Sequence, residues 1–205
     1  AAIAAAAHGE GDGRGDGGGD GVGERIAVLA DTREQVAELN AAVRDRLVAA
    51  GRLDDVHATV TAAGEWIGVG DLVVTRRNDR TRDVANRDVW IVTGVGRDGS
   101  VAVVPPDWPP GGTRLLSADY VTGHVELAYA STVHGAQGDT VTAAHLVVGE
   151  HSGAAAAYVG MTRGRTANTA HLVAAELAEA RERWIAVFGR DRADLGPGHA
   201  AELAA

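Results

Sequence analysis

RIAVLADTREQVAELN, residues 25–40, carries two hydrophobic periods in succession. Ile26 to Ala30 form an unbroken apolar run, the pattern of a strand covered on both faces within a parallel sheet. Beyond it Val36, Leu39, Val43 and Leu47 recur at helical spacing, with Asp31 or Thr32 placed to cap the helix and Gly51 placed to end it. A strand feeding directly into an amphipathic helix is the βα unit of an α/β fold.

On the C-terminal side, from Val56 to Thr122, the pattern changes. DLVVTRR, DVWIVTGV, SVAVVP and TRLLSADYV are short and β-branched, and are separated by Asn, Asp, Gly and Pro turns. That is how a small antiparallel barrel reads. The α/β pattern then resumes: HVELAYAST is expected as a strand of the first sheet, AAHLVVG as a further buried strand, SGAAAAYVGMTRGRT as a helix with a basic end, and TAHLVAA as one more strand. A helix is expected over 176–188. The expected organisation is therefore a linker at 1–23, an α/β domain in two parts (24–55 and 123–189) with a β-barrel insert at 56–122, and a frayed tail at 190–205.

On the N-terminal side, residues 8–23 (HGEGDGRGDGGGDGVG) are almost entirely glycine and acidic residues. Such a segment cannot bury enough apolar surface to offset the entropy of ordering and is expected to be disordered. A calcium-binding repeat does not fit, because the Gly/Asp spacing is irregular and no strand residues alternate with it.

The 205 residues suit one ordinary domain or two small ones, and 45 % hydrophobic residues can fill a core, although aromatics at 4 % leave that work to Val, Leu, Ile and Ala. The absence of cysteine excludes a disulfide framework, a thiolate zinc site and a cysteine nucleophile. No apolar run approaches the roughly 20 residues that span a bilayer, and AAIAAAA lacks the basic leader of a secretory signal. A cytoplasmic location is expected. All 19 basic residues are arginine, and a net charge of -9 argues against a wholly basic nucleic-acid surface while leaving room for a local groove.

Two stretches carry chemistry. In YASTVHGAQGDTVTAAHL (129–146), Thr132, His134, Gln137 and Gly138 follow a predicted strand, at the carboxyl end where α/β sheets bind ligands. The glycines let backbone approach a ligand, and exposed N–H groups there can meet phosphate. Alternatively this is a plain polar loop. In YVGMTRGRT (158–166), Arg163 and Arg165 have the planar fork suited to phosphate and to charge developing in phosphoryl transfer. The bland alternative is a solvated pair at a helix C-terminus.

Together the two stretches resemble a specific family. ASTVHGAQGDTV is similar to motif V, and AYVGMTRGRTANTAHLV to motif VI, of superfamily 1 DNA helicases, in particular the RecD-like branch found in TrwC/TraA-type conjugative relaxase-helicases. RIAVLADTREQVAELN resembles the motif IV strand and helix of that branch. GDLVVTRRNDRTRDVANRDVWIVTGV resembles the small Src-homology-3-like barrel inserted into its second RecA-like domain. The resemblance covers residues 24–175 in order. It implies the C-terminal half of an ATP- and Mg²⁺-dependent motor moving 5′ to 3′ on single-stranded DNA. A motor also needs a P-loop of the form G-x-x-x-x-G-K-[ST]. A chain without lysine cannot contain one. Either the phosphate-cradling and Mg²⁺-holding half, an N-terminal RecA-like domain, lies on a longer parent chain, with or without a relaxase domain, or this is a gene fragment; in both cases the chain is expected not to hydrolyse ATP alone.

Carried over residue by residue, the resemblance makes Arg163 the arginine finger, with Gln137, Gly138, Arg165 and Arg33 on the nucleotide side. Thr132 and His134 would face single-stranded DNA, joined by Arg76 and Arg77 of the insert. Asp139 and Thr140 stand where many relatives have a glutamate, a departure from the motif V pattern. No metal site is expected, since His134, His145, His151 and His171 form no H-x-x-x-H or H-E-x-x-H pair. A hydrolase built on Ser131, His134 and Asp139 lacks the G-x-S-x-G elbow. The remaining alternative is a non-enzymatic DNA- or partner-binding module of the same fold.

Overall fold

The computed structural model describes residues 25–53, 55–106, 112–150 and 152–190. The expected linker at 1–23, the tail beyond Arg190 and His151 lie outside them. Two compact units share the described chain, one formed by residues 32–131 and the other by residues 25–31 together with 132–190.

The smaller unit is the α/β one. Strand β1 (Ile26–Ala30) comes first, and its helix α1 (Arg33–Ala49) groups with the other unit. Later come β9 (Ser131–Thr132), where the chain crosses between units, β10 (Val141–Val148), α3 (Ala154–Gly160), β11 (Gly164–Leu172) and α4 (Leu177–Gly189). The strands line up as β11-β10-β1-β9. β1 runs parallel to β10 with Val28 opposite His145, and β10 parallel to β11 with Leu146 opposite Ala170. Leu29, Ala144 and Leu146 from the strands, Ala157 from α3 and Val187 from α4 form its core. The apolar run predicted for β1 is buried from Val28 to Ala30.

Helix α1 starts where the sequence says it should. The Thr32 hydroxyl accepts from the Gln35 backbone N–H at 3.2 Å, and the Gln35 side chain accepts from the Thr32 N–H at 3.3 Å, closing a reciprocal cap. Its buried face, however, is not purely apolar: Val36, Val43 and Leu47 are buried together with Asn40 and Arg44.

The antiparallel strands that follow are β2 (Ala58–Val60), β3 (Trp66–Gly68), β4 (Leu72–Thr75), β5 (Val89–Val95), β6 (Val101–Val104) and β7 (Arg114–Leu116). Helix α2 (Ala118–His124) leads into β8 (Val125–Leu127). β2 and β3 form a hairpin, and the others a five-stranded sheet in the order β7-β6-β5-β4-β8. Two expectations change here. HVELAYAST rejoins the α/β sheet only at its end, where Ser131–Thr132 is β9 beside β1; its first part, Val125–Leu127, pairs antiparallel with β4, Val73 standing opposite Leu127. TRLLSADYV is a strand only through Leu116; its second half is α2, whose Tyr120 and Val121 are buried in the same core as Ile67, Val92 and Val103. Tertiary burial of one helical face overrides β-branched composition in so short a segment.

Polar bonds hold α1 on this sheet. Asn40 Nδ2 donates to the Leu127 carbonyl at 2.9 Å, and its Oδ1 accepts from the Ala130 N–H at 2.7 Å. Arg44 Nε donates to Asp71 Oδ2 at 2.9 Å, and Arg44 Nη1 to Asp55 Oδ1 at 3.1 Å. Asp71 is fully buried and also accepts from the Gly68 N–H at 2.7 Å and the Tyr129 hydroxyl at 2.6 Å. Burial first, and then the Asp71 charge and hydrogen bond, push the Tyr129 phenol far above its usual range, so it remains a donor. No helix among the described residues is long and apolar enough to cross a membrane.

Breaking a buried ion pair from one side strands the other charge at a cost of about 3–5 kcal/mol. Arg44→Met should therefore lower the unfolding free energy measured by urea denaturation by an amount of that order. Arg76→Met, which removes an exposed partner of Glu126, should cost under about 1 kcal/mol. Equal shifts for the two variants would show that Arg44 does not anchor the helix.

Candidate functional site

The loop after β9 is built by its own backbone. The Thr132 carbonyl accepts from the Ala136 N–H at 3.0 Å, and the Thr132 hydroxyl from the Gly135 N–H at 2.9 Å. Gln137 N–H bonds to the His134 carbonyl and Asp139 N–H to the Ala136 carbonyl. Val133 and Ala136 point into the core and tie the loop down, while His134, Gln137, Gly138 and Asp139 are exposed. Gly138 has φ +96°, a conformation that side chains rarely adopt, and it turns the chain back toward β10. The expected pair Gln137 and Gly138 is thus presented on a short, cross-braced loop. Thr132 is half-buried, its oxygen already engaged.

Arg163 stands just past the end of α3. Its Nε donates to the Val159 carbonyl at 3.0 Å, its Nη2 to the Thr162 hydroxyl at 3.2 Å, and its Nη1 to the Asp139 carbonyl at 3.2 Å. The Thr162 hydroxyl is itself seated on the Tyr158 and Val159 carbonyls. The structure therefore brings the two stretches singled out in the sequence together, with the Arg163 guanidinium touching the 132–139 loop. It does not bear out the basic helix end. Helix α3 stops at Gly160 and β11 begins at Gly164, so Arg165 is an exposed strand residue.

That early strand start has a local cause. Gly164 N–H donates to Asn168 Oδ1 at 2.8 Å, and Asn168 Nδ2 returns to the Gly164 carbonyl at 2.9 Å. A Cβ on Gly164 would lie 2.1 Å from the Ala167 carbonyl oxygen, so only glycine closes this loop. The ladder between β10 and β11 shifts register between Val141 and Ala143 to accommodate it.

The other expected residues lie on the larger unit. Arg33 is exposed in the first turn of α1. Arg76 Nη2 pairs with Glu126 at 2.6 Å, and Arg77 Nη1 meets His124 Nε2 at 3.2 Å.

With this geometry in place, relatives can be compared. No protein-family model matches the chain. It is 36 % identical over 80 residues to the multifunctional conjugation protein TraI of Escherichia coli, a match covering 38 % of this chain and 4 % of that protein. The crystal structure of Pif1 helicase from Bacteroides in complex with ADP-AlF3 and ssDNA superposes with a TM-score of 0.55 at 17 % identity, covering 82 % of this chain and 46 % of that one. Bacteroides Pif1 bound to ssDNA gives 0.51 at 16 %, covering 78 % and 45 %. The chain shares its fold with part of these Pif1 helicase structures. The chain spans less than half the length of the Pif1 chains and a small part of TraI.

Within the α/β unit, the histidines hold one surprise. His145 Nδ1 and His171 Nε2 lie 2.9 Å apart across β10 and β11, their rings tilted by 31°. Sequence spacing hides the pair because parallel strands join residues far apart in the chain. Among the described residues no group of three or more His, Cys, Asp or Glu side chains could hold a metal ion. Burial, and then the neighbouring His145, lower the proton affinity of His171.

A histidine whose folded pKa is depressed contributes stability that is complete above its unfolded value, about 6.5, and is lost as pH falls toward the folded one. The melting temperature should thus drop as pH falls below about 6.5, and drop less in His171→Leu. Identical pH profiles for wild type and variant would remove the histidine pair as the cause.

Proposed function

We propose that this chain is the C-terminal motor domain of an ATP-dependent, 5′ to 3′ DNA helicase of the conjugative relaxase-helicase type. The observation that carries the reading is the hydrogen bond from Arg163 Nη1 to the Asp139 carbonyl. It couples the guanidinium proposed as arginine finger to the loop proposed to track DNA. Gln137 and Gly138, with Arg165 and Arg33, are assigned to the nucleotide side; Thr132, His134, Arg76 and Arg77 are assigned to single-stranded DNA. The strands β1, β9, β10 and β11 with the helices α1, α3 and α4 are read as one RecA-like domain. The five-stranded sheet and the β2–β3 hairpin are read as its Src-homology-3-like insert, since Ile67 of the hairpin shares the core of the sheet.

The residues present fit nucleotide only in part. A half-exposed guanidinium beside an exposed polar loop suits a phosphate group. A chain without lysine offers no P-loop, and the described residues offer no cluster for Mg²⁺. Both requirements fall to the N-terminal RecA-like domain of a parent motor. ATP supplies the phosphoryl group whose developing charge the finger would meet.

A second reading has its own observation. Three donors of Arg163 are satisfied by protein acceptors, which suits a structural lock in a non-enzymatic DNA- or partner-binding module. One set of measurements separates the two. The isolated chain should show no DNA-stimulated ATP turnover. In a complete motor carrying this domain, Arg163→Ala should lower turnover by roughly 10³ to 10⁵ with nucleotide affinity within a few-fold. Arg163→Lys should fail nearly as badly, because an ammonium cannot reproduce the planar fork. Near-normal turnover with a lowered melting temperature would assign Arg163 to the lock.

A further inference from the structure

Between β4 and β5 the chain leaves the sheet as RRNDRTRDVANRD, residues 76–88, and this excursion is held unusually rigidly. Asp79 Oδ1 accepts from the Thr81 and Arg82 N–H groups at 2.9 and 3.2 Å, while the Arg82 guanidinium closes on Asp79 and on the Ser117 hydroxyl. Asn78 Oδ1 accepts from the Asn86 N–H at 2.7 Å, and the Tyr120 hydroxyl donates to the Arg77 carbonyl. Asp83 (φ 54°) and Arg87 (φ 77°) are the only non-glycine residues with left-handed backbone among those described. Strain of this kind persists where the surrounding structure over-determines it, and it clusters at binding sites.

The excursion and α2 border an open cavity of about 480 Å³ whose lining includes Arg77, Arg80, Asp119, Tyr120 and His124. Its charge can be counted. Arg82 is neutralised by Asp79. Arg77 Nη1 lies 3.2 Å from His124 Nε2, a contact with no carboxylate to cancel the guanidinium charge. Among the described residues Arg80 has no ion pair or side-chain hydrogen bond. Arg77 and Arg80 against Asp119 leave a net +1.

We infer that this cavity is a subsite for one phosphodiester of single-stranded nucleic acid, with Arg77 and Arg80 holding the phosphate and Asp119 rejecting more highly charged groups. A phosphodiester carries one negative charge and matches the residual +1. A terminal phosphate or free phosphate carries nearly two and would leave Asp119 opposing it. The volume is that of a nucleotide-sized ligand site, and guanidinium forks are the groups suited to phosphate oxygens. The inference rests on the proposed contact with single-stranded DNA and adds Arg80, Asp119, Tyr120 and His124 to it.

The test is binding of the chain to fluorescent oligothymidylate across a salt series. Each phosphate contact contributes roughly 0.7 to the slope of log affinity against log salt on single strands. Arg80→Ala should lower that slope by about 0.7 and weaken binding several-fold at low salt. Arg77→Ala/Arg80→Ala should lose little more slope, since both arginines hold one phosphate. Arg183→Ala on α4, an equal change in net charge, should leave the slope in place. As competitors, the dinucleotide TpT should displace DNA better than thymidine monophosphate, and Asp119→Asn should narrow that preference. Oligonucleotide binding that is unchanged in the double variant, or monophosphate competing as well as TpT, would overturn the subsite while leaving the helicase reading standing. No binding of wild type at low salt would instead remove the proposed DNA contact itself.

Discussion

Asp71 is a carboxylate with no exposure to solvent, and the larger unit is organised around keeping it satisfied. It follows a turn between β3 and β4, so its position is set by the sheet. The guanidinium that neutralises it comes from α1, and the phenol that completes its hydrogen bonds comes from the segment after β8. An unpaired buried charge costs several kcal/mol, whereas apolar contacts tolerate slippage. The Arg44–Asp71–Tyr129 set therefore specifies which face of α1 meets the sheet and where along it. Asn40 repeats the device one turn earlier by capping both Leu127 and Ala130, two backbone groups that would otherwise be left unpaired at the end of β8.

In the α/β unit the corresponding constraint is backbone rather than charge. The chain must leave α3, turn and enter β11 within a few residues. It does so by using Gly164 where no Cβ fits and Asn168 as a side-chain bridge. This turn places Arg163 over the 132–139 loop instead of extending it from a helix end. Its contact with Asp139 is to a carbonyl, so it depends on the backbone path and not on the identity of residue 139.

The legible parts of the chain were those whose signal is local. The Thr32 cap, the apolar run of β1 and the helix of residues 177–189 follow from capping chemistry and periodicity over short windows, and they stand in the structure. The exposed loop around Gln137 and Gly138 was legible because its glycines and polar residues interrupt an apolar run. Val125–Leu127 was not, since a three-residue apolar strand fits either sheet and only its partner distinguishes them. Tyr120 and Val121 read as strand residues until their burial on α2 is known.

By itself the sequence determined the α/β class, the run of short antiparallel strands after α1, the absence of a P-loop and the two stretches that resemble helicase motifs, because each is a matter of residue type at short spacing. Tertiary structure alone decided that Arg163 reaches Asp139, that His145 faces His171 and that Arg44 neutralises Asp71. It also decided which arginines of residues 76–88 are cancelled by a neighbour and which stay free. These are contacts between side chains or carbonyls 3 to 58 positions apart in the chain, and their formation depends on strand register and helix docking that no local pattern encodes.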